Sequence, residues 1–301
     1  MLNLFAVTIV DCGIAGILIG VASIVKPLRF LGIRSRMMGV AVIAASIVLI
    51  VAGMLTPAPL QHVTQTRTAL DRAMPAWQFS ESHATTVNAP PDRVYRAIKE
   101  TTADDILFFR ALIWIRRFGR SGPESIMNAP EKIPLLDVAT RTTFAMLTDT
   151  PQEIVVGTVV VAPRASRRAR GPTADELIAV QHRDGFAAAT MNFAVAPREA
   201  GVCDVTTETR VFSADPRTAR LFGAYWRVIY PGSSLIRYMW LRAIKKRAEA
   251  PAATLRRGRG EASATARADP AGSPTRQPRW GARGAPAPVK KSRQVPPCFC
   301  D

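Results

Sequence analysis

Three side chains in the second half of the chain combine types that act together in binding sites. Glu208 and Arg210 are two residues apart, so they share one face of a predicted strand, and Asn192 lies on the strand expected beside it. A carboxylate, a guanidinium and an amide placed in this way can form a polar cluster inside a cavity. A solvent-exposed ion pair is the simpler alternative. The catalytic residues, if there are any, are unknown from the sequence.

The histidines and cysteines give no indication of a metal centre. His62, His83 and His182 do not form a ligand set with other residues, and the four cysteines lack paired spacing. The nucleophile elbow, the phosphate-binding loop and the dinucleotide-binding fingerprint are absent as well. We therefore expect no metal and no cofactor, and the sequence favours binding over catalysis.

The elements that must position any site begin with two apolar runs. Residues 2–25 carry one charge, Asp11, and residues 37–55 carry none. A helix of the 19 residues 37–55 is about 28 Å long, close to the roughly 30 Å of a bilayer's hydrocarbon core. We expect residues 1–56 to form a transmembrane helical hairpin with spans at about 2–25 and 37–55.

Small and polar residues in these runs indicate how the two helices pack. Gly16 and Gly20 are four residues apart, a spacing that permits close approach of two helices. The same surface could also serve a homodimer through the hairpin. Asp11 could relay protons, but a hydrogen bond across the hairpin, for instance to Ser46, is the simpler expectation.

The basic residues near the spans predict an orientation. Residues 26–36 hold four Lys and Arg, whereas the segment after the second span holds two basic residues beside one acidic residue. The positive-inside rule places the short loop in the cytoplasm and both chain ends outside. We therefore expect a multi-pass protein of the inner cell membrane whose folded domain is extracytoplasmic.

The composition changes three times after the spans. Residues 57–80 are polar and begin with two prolines, as is typical of a linker. Residues 81–249 combine helical and alternating patterns, which predicts a folded domain. Residues 250–301 are rich in Ala, Pro, Gly and Arg without periodicity, which predicts a disordered basic tail.

The overall charge raises the question of a nucleic-acid partner. Forty Lys and Arg against 23 Asp and Glu give a net charge of +17, while 48% of the residues are hydrophobic. The combination excludes one homogeneous soluble domain. Basic runs at 164–170, 242–247 and 256–259 contain no interleaved aromatic residues and no recognition motif. Attraction to a membrane surface accounts for them better, so we expect the bilayer as a partner and no nucleic acid.

The periodicity within residues 81–249 predicts an α+β domain. Pro90, Pro91 and Asp92 open a helix, as a proline in the first turn favours. Pro231 and Gly232 are expected to separate two C-terminal helices. The remaining predicted elements are an apolar helix at 104–118 and, after a first strand at 83–89, strands at 140–148, 153–162, 186–196 and 203–212.

The domain resembles the START-like (SRPBCC) superfamily, which includes polyketide cyclases and dehydratases. The first block of the resemblance is HATTVNAPPDRVYRAIKE at 83–100, a strand, a Pro-Pro-Asp turn and a helix. The second is GFAAATMNFAVAPREAGVCDVTTET at 185–209, and the third is FGAYWRVIYPGSSLIRYMWLRAIKKR at 222–247; both look like a bacterial branch of the superfamily. The resemblance implies a helix-grip fold, in which a curved antiparallel sheet wraps a long C-terminal helix.

The resemblance also implies a cavity between sheet and C-terminal helix that holds an apolar small molecule, such as a lipid, a quinone or a polyketide. The candidate cavity residues, for each of which ordinary core packing is the alternative, are Phe144, Met146, Val156, Met191, Phe193, Tyr225, Trp226 and Met239. A membrane-anchored domain that binds or shuttles such a molecule is the expectation. The alternatives are a membrane-bound cyclase or dehydratase-like enzyme and a structural partner in an envelope complex.

Overall fold

The computed structural model describes residues 2–120, 122–163, 166, 171–199 and 201–251. Apart from its first two residues, the predicted tail at 250–301 lies outside these ranges, and so does most of the basic run at 164–170. The described chain is an α+β structure with a five-stranded antiparallel sheet, a long C-terminal helix and two apolar N-terminal helices.

The two N-terminal helices, α1 (Leu2–Val25) and α2 (Arg36–Leu55), are each long and apolar enough to cross a membrane. Ser35 begins α2, because its hydroxyl accepts a hydrogen bond from the backbone N–H of Met38. The helices pack closely at their glycines. A Cβ atom on Gly20 would lie 2.9 Å from the backbone oxygen of Gly39, so a larger residue forces the helices apart.

The segment expected as a linker contains folded structure. Two short strands, β1 (Gln61–His62) and β2 (Ala76–Trp77), pair antiparallel on either side of the short helix α3 (Ala69–Ala73). Thr68 and Asp71 form a reciprocal capping box at the start of α3. This segment folds because it packs on the main sheet. Its own polar sequence does not predict that contact.

The main sheet has the order β3-β7-β6-β5-β4, with every neighbouring pair antiparallel. Its strands are β3 (Phe79–Val87), β4 (Ala145–Asp149), β5 (Glu153–Val161), β6 (Ala187–Glu199) and β7 (Val202–Ser213). The predicted alternation in β6 is present, since the buried Met191, Phe193 and Val195 pack in one cluster on one face of the sheet. Gly201 connects β6 to β7 with a φ of +82°, which favours glycine.

The helices after α3 are α4 (Pro91–Glu100), α5 (Phe109–Arg116), α6 (Leu135–Thr142), α7 (Ala174–Val180) and α8 (Pro216–Glu249). Several differ from the sequence predictions. The helix predicted at 104–118 is shorter, because α5 spans only Phe109–Arg116. The strand predicted at 140–148 begins only at Ala145, because Thr140–Thr142 complete α6. Helix α7 was not predicted, although Thr173 and Glu176 form a capping box that marks its start.

The break predicted at Pro231 is wrong, because α8 continues through it for 34 residues. Both halves of the helix bury aromatic residues against the same face of the sheet, Phe222 and Trp226 before the proline and Trp240 after it. Tertiary packing therefore overrides the local breaker. Pro231 has no N–H to donate, so the carbonyl of Arg227 loses its helical partner.

Two apolar clusters lie between the sheet and the helices. The large cluster includes Val94, Ile98, Leu135, Phe193, Trp240, Leu241 and Ile244. The small cluster, around the first half of α8, includes Phe79, Ala189, Val211, Phe222 and Trp226. The stretch of α8 between Trp226 and Trp240 packs Tyr230, Ile236 and Met239 against these clusters and also contributes polar residues, Ser233 and Ser234, to the interface.

We predict that Gly20→Val destabilises the hairpin, because the new side chain meets the backbone of Gly39 and overpacking of this kind costs about 1–3 kcal/mol. The control is Ala22→Val, which enlarges an exposed position of the same helix. Thermal unfolding of the full chain in detergent, followed by circular dichroism, measures the difference. Equal melting temperatures for the two variants would contradict the close packing.

Candidate functional site

The predicted polar residues Asn192, Glu208 and Arg210 lie on the face of the sheet turned away from α8. Odd-numbered residues of β6 and β7 pack towards α8, so these even-numbered residues face α3. The guanidinium of Arg210 is 2.8 Å from Asp71 and 2.7 Å from Glu208, and it lies 4.0 Å from the centroid of the Trp77 ring. The alternation along the strands requires this placement.

Glu153 completes this network on the outer face. It accepts hydrogen bonds from Asn192 Nδ2 at 2.7 Å and from the backbone N–H groups of Ala69 and Leu70 at 2.6 and 3.2 Å. The side chains expected to form a polar cluster inside a cavity thus hold residues 57–80 against the sheet. This differs from the expectation of a cavity, because residues 57–80 cover the face of the sheet that is turned away from α8.

The predicted cavity residues divide between the two apolar clusters. Val156, Met191 and Phe193 are buried in the large cluster, where Phe193 packs edge-to-face on Trp240 with ring centroids 5.1 Å apart. Phe144, Met146 and Met239 pack against the same cluster, and Tyr225 and Trp226 belong to the small one. Their contacts with each other are those of a core, and a role in ligand contact stays a prediction.

A polar group lies between the two clusters, beneath the middle of α8. Glu81 is 3% exposed, and its two carboxylate oxygens are 2.8 Å from His83 Nε2 and 3.0 Å from the donating hydroxyl of Ser233. The hydroxyl of Ser234 is 3.2 Å from the same His83 nitrogen. Glu81 and His83 share a face because they are two residues apart on β3. We call these four residues the Glu81 cluster.

The geometry of the Glu81 cluster limits its chemistry. In a nucleophilic triad the carboxylate bonds one imidazole nitrogen and the hydroxyl bonds the other. Here Glu81 and Ser234 both contact Nε2 of His83, so the hydroxyl is not activated in that way. The arrangement suits a carboxylate–imidazole pair that orients a hydrogen bond to a ligand.

An open cleft of about 460 Å³ lies beside the Glu81 cluster, between α1 and α8. Most of its wall is apolar, and its polar groups include Asp11, His83 and Ser234. It is lined by Leu4, Val7, Thr8, Asp11, His83, Tyr230, Pro231, Ser234, Leu235 and Tyr238. Asp11 therefore faces the cleft, while Ser46, its expected partner, lies against Gly16.

Arg227 joins α8, one of the two helices that line the cleft, to the end of α2. The side chain is 2% exposed, and its guanidinium donates to the carbonyl oxygens of Met54 at 3.0 Å and Thr56 at 2.6 Å, at the end of α2. Burial lowers the pKa of Arg227 below its usual range. At the same end of the hairpin, where α1 begins, Asn3 donates to the backbone of Gln78. The start of α1 and the end of α2 are thereby both attached to the domain.

A second surface, on and around α5, exposes large apolar side chains. We call it the α5 surface, and its members are Leu107, Phe108, Trp114, Ile115 and Phe118, of which Phe118 is 89% exposed. Phe108 and Phe118 both have positive φ angles, which are unusual for bulky residues. Arg116 ties α5 to α8 by donating to the hydroxyl of Tyr225.

The sequence contained part of the signal for this site. Glu81 and His83 are readable as a pair on one strand face, but two residues are too few for a metal set. Their partners Ser233 and Ser234 are about 150 positions away, which no local pattern reveals. In the described part of the chain, no group of three or more His, Cys, Asp or Glu residues could hold a metal ion.

Comparisons with known proteins do not assign the chain to a family. No family model and no curated protein matches the sequence. Among solved structures, a protein from Thermus thermophilus is 11% identical, with 56% of this chain and 96% of that one covered and a TM-score of 0.23. The Zhui aromatase/cyclase from Streptomyces sp. R1128 is 16% identical, with 57% and 96% covered and a TM-score of 0.23. A hypothetical protein from Helicobacter pylori is 9% identical, with 57% and 88% covered and a TM-score of 0.29.

The outer-face network makes stability depend on acid through Asp71. Burial alone raises the pKa of this carboxyl, but hydrogen bonds from the backbone of Arg67 and Thr68 and from the side chains of Arg210 and Thr68 lower it overall. Because the pKa of Asp71 is lower in the folded state, its carboxylate stabilises the fold at pH values above the unfolded-state pKa of about 3.9. That contribution is lost as the pH falls from there through the folded pKa.

We therefore predict that Asp71→Asn lowers the free energy of unfolding near neutral pH and flattens its loss below about pH 4. Asp204→Asn is the control, because Asp204 pairs with Arg198 at the surface. Denaturant unfolding of the full chain in detergent at a series of pH values measures both. An acid limb that is equally steep in wild type and Asp71→Asn would refute the role of this carboxyl.

Proposed function

We propose that this chain is a membrane-anchored, START-like helix-grip domain that binds an apolar small molecule beside its C-terminal helix and exchanges it with the bilayer. The observation that carries the proposal is the open cleft between α1 and α8. The ligand class is the one that the sequence resemblance implies, a lipid, a quinone or a polyketide-like molecule.

The size and lining of the cleft support a small amphipathic or apolar ligand. Small-molecule sites are typically clefts of about 300–1,000 Å³ with apolar walls and a few polar groups. This cleft has about 460 Å³, and Leu4, Val7 and Leu235 contribute to its apolar wall. His83 and Ser234 are placed to orient one polar group of the ligand, because the Glu81 cluster holds both.

The composition of the cleft wall supports exchange with the membrane. Leu4, Val7 and Thr8 belong to α1, which is long and apolar enough to span a bilayer. A molecule dissolved in the bilayer would reach the cleft without crossing water. We place the protein in the inner membrane with the domain extracytoplasmic, because the basic loop at 26–36 favours the cytoplasmic side.

The α5 surface supports a second contact with the bilayer. Arg227 holds α8 against the end of α2, and Arg116 holds α5 against Tyr225 of α8. Both α5 and the end of α2 therefore contact the first half of α8, at Tyr225 and Arg227. Exposed Trp and Phe side chains suit the interface between a membrane and water.

A membrane-bound cyclase or dehydratase-like enzyme is the second candidate. The observation that favours it is the imidazole of His83, which a buried carboxylate holds at the wall of the cleft. Such a pair can accept and return a proton during a dehydration. Conversion of an added polyketide-like substrate by the wild type, lost in His83→Gln, would favour this candidate over binding alone.

Photolabelling of the full chain in phosphatidylcholine nanodiscs tests the binding function. The probe is palmityl alcohol carrying a diazirine, and mass spectrometry locates the label. We expect labelled peptides from residues 4–11 and 230–238. Leu235→Trp fills the cleft and should lower this labelling about tenfold, equivalent to about 1.4 kcal/mol of binding free energy.

The control for this experiment is Leu221→Trp, which places the same side chain at an exposed position of α8 outside the cleft. Its labelling should match the wild type. Label spread evenly over the spans, or equal labelling in Leu235→Trp and wild type, would overturn the proposed function.

A further inference from the structure

The residues of α1 that line the cleft form one stripe along the helix. Leu4, Val7, Thr8 and Asp11 have the spacing i, i+3, i+4 and i+7, which places them on the same helical face. Two of them are apolar, and Asp11 is the only acidic side chain among the described residues of the cleft wall. The α1 side of the cleft is therefore largely apolar and ends in a carboxyl group.

Asp11 has unused capacity to accept hydrogen bonds. Its side chain is half-buried, and no hydrogen bond or ion pair engages it within the part of the chain that the structure describes. Thr8, on the same stripe, is already occupied, because its hydroxyl donates to the carbonyl oxygen of Leu4 at 3.0 Å. A carboxyl group in a largely apolar wall is unfavourable unless a donor reaches it. The cleft therefore offers Asp11 as an acceptor to a ligand.

The hydroxyl of Ser234 provides a donor on the α8 side of the same cleft. As a carboxylate, Glu81 only accepts hydrogen bonds, so its 2.8 Å contact with Nε2 of His83 places a proton on that nitrogen. A protonated nitrogen cannot accept from the Ser234 hydroxyl, which lies 3.2 Å from it. Among the described residues this hydroxyl makes no other hydrogen bond. Ser234 therefore keeps its proton for an acceptor in the cleft.

We propose that the cleft selects a ligand with a hydroxyl head group, that is, an uncharged long-chain alcohol. The hydroxyl donates its proton to Asp11 and accepts a hydrogen bond from Ser234, while the alkyl chain lies against the apolar side chains of α1 and α8. This inference rests on the proposed function, because it specifies the ligand of the same cleft.

Other head groups match the cleft wall less well. An anion meets no cation there, because none of the described residues that line the cleft is Lys or Arg, and Asp11 repels it. The hydroxyl groups of Tyr230 and Tyr238 can donate to an anion, but they carry no charge to offset its own. An ammonium group pairs with Asp11 but has no lone pair for the proton of Ser234. An ether oxygen accepts from Ser234 but has no proton for Asp11.

The experiment compares four diazirine probes with the same alkyl chain on the full chain in phosphatidylcholine nanodiscs. They are palmityl alcohol, its methyl ether, its sulfate ester and the corresponding primary amine. We expect half-maximal labelling of residues 4–11 and 230–238 by the alcohol at a concentration about tenfold lower than by each of the others. Tighter labelling by the sulfate ester or the amine, or equal labelling by alcohol and ether, would overturn the hydroxyl site and leave the proposed function intact. No specific labelling by any probe would overturn the proposed function itself.

Asp11→Leu tests the acceptor of the hydroxyl proton. The variant should label equally with the alcohol and the ether, because neither head group finds a carboxylate. An apolar residue in an apolar span favours membrane insertion, so the helix itself is retained. Cys12→Leu is the matched control, because Cys12 is exposed on the same helix and lies outside the described cleft wall. A preference for the alcohol that survives in Asp11→Leu, or that disappears equally in Cys12→Leu, would contradict the proposal.

Ser234→Ala tests the donor to the head-group oxygen. Alcohol and ether both accept from Ser234, so this variant should weaken labelling by the two probes by the same factor and keep the preference for the alcohol. A loss confined to the alcohol would contradict the assignment of Asp11 as acceptor and Ser234 as donor.

Competition identifies the source of the hydroxyl group. Displacement of the alcohol probe by unlabelled dioleoylglycerol in the nanodisc would support a membrane lipid as the ligand. Displacement by unlabelled palmityl alcohol alone would support a free long-chain alcohol. Displacement by neither would overturn the proposal, because the labelling would then not come from a saturable site.

Discussion

The guanidinium of Arg227 connects the apolar hairpin to the domain. It is buried, and its hydrogen bonds go to the backbone carbonyls of Met54 and Thr56, which are left open where α2 ends. A charge in that position stabilises the negative end of the helix dipole. The middle of α8 is thereby held next to α1, so the cleft and the Glu81 cluster depend on this contact.

Long-range composition and strand alternation made much of the fold predictable. The hairpin follows from two apolar runs, and the alternation in β6 and β7 identified which residues share a face. The predicted break at Pro231 was wrong. The tendency of proline to interrupt a helix is local, whereas packing against one face of the sheet acts along about 30 residues of α8. The strand at 140–148 was misjudged because Thr140–Thr142, which suit strands, complete an amphipathic helix instead.

The candidate site was harder to predict, for a different physical reason. Alternation shows that Asn192 and Arg210 point to the face of the sheet opposite to that of Phe193. It does not show which part of the chain covers each face. The outer face is covered by residues 57–80, whose polar sequence is typical of a linker. The Glu81 cluster was missed because it joins β3 to α8 across about 150 residues, a contact made by the tertiary fold alone.

The polar centre between the two apolar clusters bears on what the fold is built to do. A buried charge stabilises a protein weakly at best, and well-packed apolar residues of similar volume often stabilise it more. A carboxylate at Glu81, buried beneath the middle of α8, is therefore a poor choice for stability alone. The two apolar clusters on either side of Glu81 carry the stability that lets the domain tolerate a buried carboxylate between them.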